Sequence, residues 1–375
     1  MKTLPKFNTQ NQVIHAYPEI DLILCCVRPQ VDHATSARIK TLIKENSINW
    51  QKLVQKARSY SVVSLVYTRL STICPESVPE STLEQLRHFF GAIAQRNLFL
   101  TRELIKLLSL MQEQGIVAVP YKGPVLALSV YGNVALRQFG DLDIIVQPTD
   151  LFAVKKLLLA QGYRCKVNMT HAEEISYLQS KSEHTYDFIH DDKQIFLEIH
   201  WRIAPKYVSP IEPQHLWKDL EAFSLAGTTV SYLPKEDWLP ILCVHASRHI
   251  WTRLACLCDI ATLVENNPDL NWEKVLQQAN DWGCRRILFL GLFLAHSLLG
   301  VALPEEILQL VKSDSTITLL VPKVYNQLFD DVKTSDKFLG RTLYHIQVRE
   351  RLYDKVLYLQ SFFYWLMTGA ISTQF

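Results

Sequence analysis

No Cys-x-x-Cys spacing occurs in this 375-residue chain. Its eight cysteines, Cys25, Cys26, Cys74, Cys165, Cys243, Cys256, Cys258 and Cys284, are scattered. In a chain this long that pattern reads as reduced, mostly buried thiols in a cytoplasmic protein. The opening MKTLPKFNTQNQV lacks an apolar core of the kind a secretory leader needs, so no leader is expected. Charge of one sign is not in excess. A net charge of +2 argues against a nucleic-acid binder driven by bulk electrostatics and leaves room only for a local basic patch. Internal repeats and low-complexity linkers are absent as well. The longest apolar run, ILFLGLFLAHSLLGVAL at 287–303, approaches membrane-spanning length. It is interrupted by His296, Ser297 and two glycines and is followed by Pro304, so it is expected to be the buried central helix of a helical domain, not a span.

What remains is an ordinary globular composition, 48% hydrophobic and 20% charged, with enough chain for two or three domains. Up to about residue 115 the apolar residues recur at helical spacing, as at Ile39, Leu42 and Ile43, then Trp50, Leu53, Val54 and Ala57. The stretch STLEQLRHFFGAIAQRNLFLTRELIKLLSLMQEQG opens on a Ser/Thr cap signal and stops at Gly115. The period then changes. IVAVPYKG reads as a strand into a glycine turn, PVLALSVYG as a short helix, and GDLDIIVQP as a strand closed by Pro148. A helix follows, with Thr149 or Asp150 as its cap and Gly162 as its terminator. YRCKV, TYDFIH and KQIFLEIHWRI read as further strands. From about residue 213 helical patterning returns and is expected to run to the C-terminus. The organisation predicted is a helical region over 1–115, an α/β core over 116–208 and a helical domain over 209–375.

Within that core, Asp141 and Asp143 sit one residue apart in an apolar strand. Side chains alternate along a strand, so the two acids share one face while Leu142 and Ile144 take the other. Ionised carboxylates in such a place are costly unless a metal or a cation compensates them. Side by side they also drive each other towards protonation. In QIFLEIHWRI the same alternation places Phe196, Glu198 and His200 on one face. Glu198 therefore reaches the aspartates if the two strands are neighbours. Three converging carboxylates suit a pair of Mg²⁺ ions clamping an in-line phosphoryl displacement. Upstream, Lys122 and Gly123 lie at a strand-to-helix junction, where free N–H groups hold phosphate, and Arg137 adds a second positive charge.

The order KG … Y … R … GDLDI … LEIHW resembles the polymerase-β-type nucleotidyltransferase superfamily. Within it, the pattern is most similar to a bacterial nucleotidyltransferase family carrying KG-x-x-L and GD-[IL]-D motifs. The resemblance extends to INWQKLVQKARSYSVVSLVYTRL upstream and VHASRHIWTRLACLCDIATLV downstream. It implies an α+β fold, a small mixed β-sheet with helices on one face, flanked by N- and C-terminal helical regions. It also implies transfer of a nucleoside monophosphate from an NTP to a hydroxyl-bearing acceptor with two Mg²⁺ ions. Asp141 and Asp143 match the metal-binding pair and Glu198 the third carboxylate. Lys122 and Gly123 fall at the phosphate loop, and Arg137 at a basic residue ahead of the Asp-x-Asp strand. This chain reads Lys122-Gly123-Pro124 where the wider superfamily has Gly-Ser, and proline has no N–H to give a phosphate.

Other residues carry weaker signals. His245 and His249 in HASRH stand four apart on a predicted helix, a zinc-compatible spacing, but no glutamate follows His245 as a metalloprotease motif requires. A structural role or a wall over an acceptor pocket is the alternative. His184 and His200 are placed in the same candidate pocket, and Arg248 and Arg253 within reach of a nucleotide or an acidic acceptor. The alternatives to an active transferase are therefore a relative that binds nucleotide or a partner protein without turnover, and a zinc hydrolase built on His245 and His249. The acceptor is expected to be a small molecule or a protein more than a nucleic acid, and no membrane span is expected.

Overall fold

In the computed structural model, which describes residues 17–209, 211, 213–329 and 337–368, four short helices lead into a long one. The stretch 1–13 read above for a leader lies outside these residues. The helices are α1 (Pro18–Cys26), α2 (His33–Glu45), α3 (Trp50–Ser59), α4 (Val63–Ile73) and α5 (Glu80–Glu113). Asp32 and Asn49 start α2 and α3 by accepting the Thr35 and Lys52 amides on their side chains. The expected Ser/Thr cap of α5 is not used: the helix starts at Glu80 behind Pro79, so Ser81 and Thr82 fall inside its first turn.

The α/β core follows, with β1 (Ala118–Tyr121), α6 (Gly123–Tyr131), β2 (Asp141–Val146), α7 (Leu151–Ala160), β3 (Arg164–Cys165), α8 (His171–Gln179), β4 (Thr185–His190) and β5 (Ile195–His200). The strands form one mixed sheet in the order β1-β2-β5-β4-β3. Its centre is the parallel pair β2 and β5, and every other pairing is antiparallel. Gly132 and Gly162 end α6 and α7 at φ of +67° and +86°, where a side chain would be strained. Asp150 stands at the start of α7, but its side chain caps nothing because a 3₁₀ turn, Pro148–Asp150, leads directly into the helix. Helix α8 was not foreseen. Its start is a capping box in which Thr170 and Glu173 each bond the other's backbone amide.

Alternation along β2 and β5 divides the apolar residues between two cores. Leu142, Ile144, Val146, Ile195, Leu197 and Ile199 pack with Leu100, Leu104, Leu107 and Met111 of α5 and with α7. The opposite face joins a larger core through Val119, Tyr121 and Ile145. Helix α5 links the two, since its earlier residue Leu86 lies in the larger core, together with residues of α1 to α4.

The helical reading from residue 213 onward is corrected by a β-hairpin. Strands β6 (Glu221–Leu225) and β7 (Thr228–Tyr232) pair antiparallel through Ala226 and Gly227, both at positive φ. That is the geometry of a two-residue hairpin turn, in a sequence, EAFSLAGTTVSY, that alternates at period two. Helices then continue: α9 (Lys235–Arg248), α10 (Leu254–Glu265), α11 (Trp272–Asp281), α12 (Arg285–Leu299), α13 (Glu305–Ser313), α14 (Ser315–Phe329), α15 (Lys337–Val348) and α16 (Leu352–Thr368). The apolar run at 287–303 supplies α12, buried from Ile287 through Leu292 and ended by Gly300 in the left-handed conformation. Among the described residues no helix is long and apolar enough to cross a membrane.

Two contacts fix how the helices sit on each other and on the core. Helices α9 and α12 approach closely at Gly291, where an added Cβ would come within 2.6 Å of the Cys243 sulfur and 3.0 Å of Trp251. Arg137, in the loop before β2, grips Asp259 of α10 with Nε at 3.0 Å and Nη2 at 3.0 Å, and the Tyr131 hydroxyl donates to the same carboxylate at 2.8 Å.

Gly291→Ala should lower stability by about 1–3 kcal/mol in urea unfolding, because both neighbours of the new methyl are themselves packed. Asp259→Ala should cost about 3–5 kcal/mol, since it strands a partly buried guanidinium, while the double variant Arg137→Met/Asp259→Leu should recover most of that loss.

Candidate active site

Three strands bring the charged residues into one row. Across the sheet Tyr121, Asp143 and Glu198 are register partners, Asp143 pairing with Tyr121 on one side and Glu198 on the other. Asp143 and Glu198 therefore emerge side by side on the same face, as do Asp141 opposite Phe196 and Ile145 opposite His200. Exposure falls along β5, from Phe196 at 52% through the Glu198 side chain at 34% to His200 at 2%. The site thus opens to solvent at the Asp141 end and closes at the His200 end.

Buried charge at the closed end is compensated. The Asp143 carboxylate, 3% exposed, receives the Lys122 ammonium at 2.9 Å and the His200 Nε2 at 2.9 Å, both on Oδ1. His200 Nε2 also lies 3.3 Å from Glu198 Oε2, so one ring nitrogen stands between the two acids. Lys122 reaches this position from a backbone with φ of +56° and ψ of −132°, which an L residue rarely adopts and which costs on the order of 1–3 kcal/mol. Gly123 follows, also at positive φ. Tyr121 lines the site, stacked on Trp238 at 5.5 Å between ring centroids and met edge-on by His200 at 5.3 Å. Tyr121 and Trp238 carried no signal in the sequence beyond their apolar surroundings.

These contacts set the protonation states. Burial works against charge on Asp143, yet Lys122 and the His200 hydrogen bond hold its carboxyl well below the usual range. Burial also opposes charge on Glu198, and the bond from His200 nevertheless lowers its value. His200 moves the other way: burial disfavours its charge, but the two carboxylates raise its value. Lys122 is raised by Asp143 against its own burial. Asp141, which forms no ion pair among the described residues, is raised by burial and then by the neighbouring Asp143 charge, against a smaller opposing effect of Lys122. Burial pushes the Tyr121 phenol up to about 12.

Metal-ligating atoms of Asp143, Glu198 and His200 lie within 4.8 Å of one another, the one such gathering of three among the described residues. Two hard carboxylates suit a divalent cation such as Mg²⁺, and the imidazole adds a nitrogen that was not foreseen as part of the set. Asp141 shares their face but stands outside this gathering.

The remaining candidates separate. Gly123 begins α6 beside Lys122, and Pro124 follows in its first turn. Arg137, expected to face phosphate, has its guanidinium clamped on Asp259, which holds α10 against the core. Nothing in the sequence pointed to this pairing, because the partners are 122 residues apart. His184 is buried, with its ring 5.8 Å from His200. His245 and His249 contact each other at 5.1 Å between centroids, and among the described residues no third metal-ligating side chain joins them. Burial keeps both uncharged, His245 far below the usual imidazole range and His249 at about 3, where Arg248 adds to the effect. Arg248 bridges this helix to the core, with Nη1 2.6 Å from His184 Nε2.

No curated protein and no solved structure matches the chain. A family model described as an uncharacterised nucleotidyltransferase matches residues 46–300, more than half of its length, and spans the sheet, the Asp143–Glu198 row and α9 to α12. The chain belongs to this nucleotidyltransferase family and is a transferase enzyme.

Proposed function

We propose that this enzyme moves a nucleoside monophosphate from an NTP to a hydroxyl-bearing acceptor, a small molecule or a protein, and that Asp141, Asp143 and Glu198 hold two Mg²⁺ ions for the reaction. The observation that supports this best is the register of Asp143 and Glu198 on the central parallel strands, two acids on one face beside a strained, buried lysine. Bound magnesium supplies charge neutralisation for the triphosphate and a more acidic acceptor hydroxyl. Glu198, the more exposed acid of the row, is suited to accept the hydroxyl proton. The freed acceptor oxygen bonds to the α-phosphorus as the bond to the bridging oxygen breaks, and pyrophosphate leaves. Lys122 and the first amides of α6 are suited to the phosphates, Gly123 and Val125 each offering an N–H that Pro124 lacks. With the triphosphate on Lys122, Asp143 would be free to hold a cation in place of the ammonium it now meets.

A relative that binds nucleotide without turnover is the competing reading. It is favoured by Pro124 and by the closed ion pair between Lys122 and Asp143. Release of pyrophosphate from any of the four NTPs with Mg²⁺ and an acceptor separates the two; binding without release supports the second.

Glu198→Gln should reduce transfer at least a hundredfold with an unchanged unfolding midpoint, because Glu198 is the less buried acid. Retained transfer would remove it from the mechanism. Asp143→Asn should abolish transfer too, and should also destabilise the metal-free protein by about 3–5 kcal/mol by leaving Lys122 without its counter-charge. Lys122→Met/Asp143→Asn should regain stability, measured by urea unfolding, without regaining transfer.

A further inference from the structure

Arg248 ends α9 half-buried and without an acidic partner. Its Nη1 lies 2.6 Å from His184 Nε2 and its Nη2 3.3 Å from His249 Nε2, and among the described residues it makes no ion pair. Arg137, Arg164 and Arg286 all end on carboxylates. A guanidinium only donates hydrogen bonds, so the ring nitrogens it touches must offer lone pairs, and both histidines are neutral there. The seat therefore carries a full positive charge that nothing in it cancels. Among the described residues the buried His184 Nδ1 has no hydrogen-bond partner, which leaves its N–H as one more unused donor.

This seat adjoins the acids. His184 lies against His200, whose Nε2 holds Asp143, and the Arg248 charge is felt by the Tyr121 phenol beside Lys122. Arg253 adds its charge at His249. A planar, partly desolvated guanidinium next to carboxylates that bind cations matches a ligand with negative oxygens at one end.

We propose that Arg248, propped on His184 and His249, binds the β- and γ-phosphates of the NTP and, after transfer, the pyrophosphate. The assignment rests on the nucleotidyl-transfer reading, but inorganic tripolyphosphate probes the seat without a nucleoside. Titration calorimetry of the full chain should show Arg248→Gln weakening tripolyphosphate and NTP binding about ten- to a hundredfold, the size expected for lost charge-assisted hydrogen bonds. Arg248→Lys, which keeps the charge but not the fork, should lose less. It carries the comparison if Arg248→Gln lowers the unfolding midpoint. Equal binding of NTP by wild type and both variants overturns the seat and leaves the transfer reading standing. Binding of tripolyphosphate, lost in the variants, without binding of any NTP overturns the assignment of the seat to the NTP together with the transfer reading. Binding of neither probe by the wild type overturns both.

Discussion

A carboxylate at the centre of a packed sheet persists only with compensation in contact, and Asp143 takes the Lys122 ammonium and a His200 ring nitrogen on a single oxygen. Much of the local architecture serves that requirement. The turn after β1 adopts a positive φ at Lys122, where the chain would rest more easily in another conformation, and the ammonium comes to Asp143. The pairing of β2 with β5 brings His200 to the same oxygen and Glu198 alongside. Aromatic rings from β1 and α9 close the surrounding space, Tyr121 lying flat on Trp238. The site is therefore charged, compensated and buried at one end while open at the other.

Such an arrangement is costly for folding and useful for binding. Removing one partner from a buried pair strands the other, so each of Lys122, Asp143 and His200 constrains the remaining two. A ligand that brings its own cations and anions can take over these contacts at once, anions on Lys122 and cations on Asp143. The same logic separates the arginines. Arg137 has its carboxylate within the fold and acts as a fastening between core and helices, whereas Arg248, among the described residues, bonds imidazoles and no carboxylate.

Local signals in the sequence were legible wherever a pattern had one structural outcome. Period-two alternation in LEIHW put Glu198 and His200 on one face, and the register places both on the face of Asp143. Glycines at 115, 132 and 162 stopped helices where positive φ was needed. The apolar run at 287–303 supplies most of the buried helix α12, which ends at Leu299. The hairpin at 221–232 went unread although EAFSLAGTTVSY alternates, because its short strands lie between long helical stretches. A cap at Ser81 or Thr82 was read where the helix had already begun at Glu80.

By itself the sequence determined the order of helices and strands around the acids, and which side of each strand the acids occupy, since both follow from the geometry of a few consecutive residues. Only the tertiary structure decided which charges meet. Strand pairing put Glu198 level with Asp143, a strained turn delivered Lys122, and helix packing gave Arg137 to Asp259 across 122 residues and Arg248 to His184 across 64. Contacts of that kind depend on the docking of separated elements, and no spacing along the chain records them.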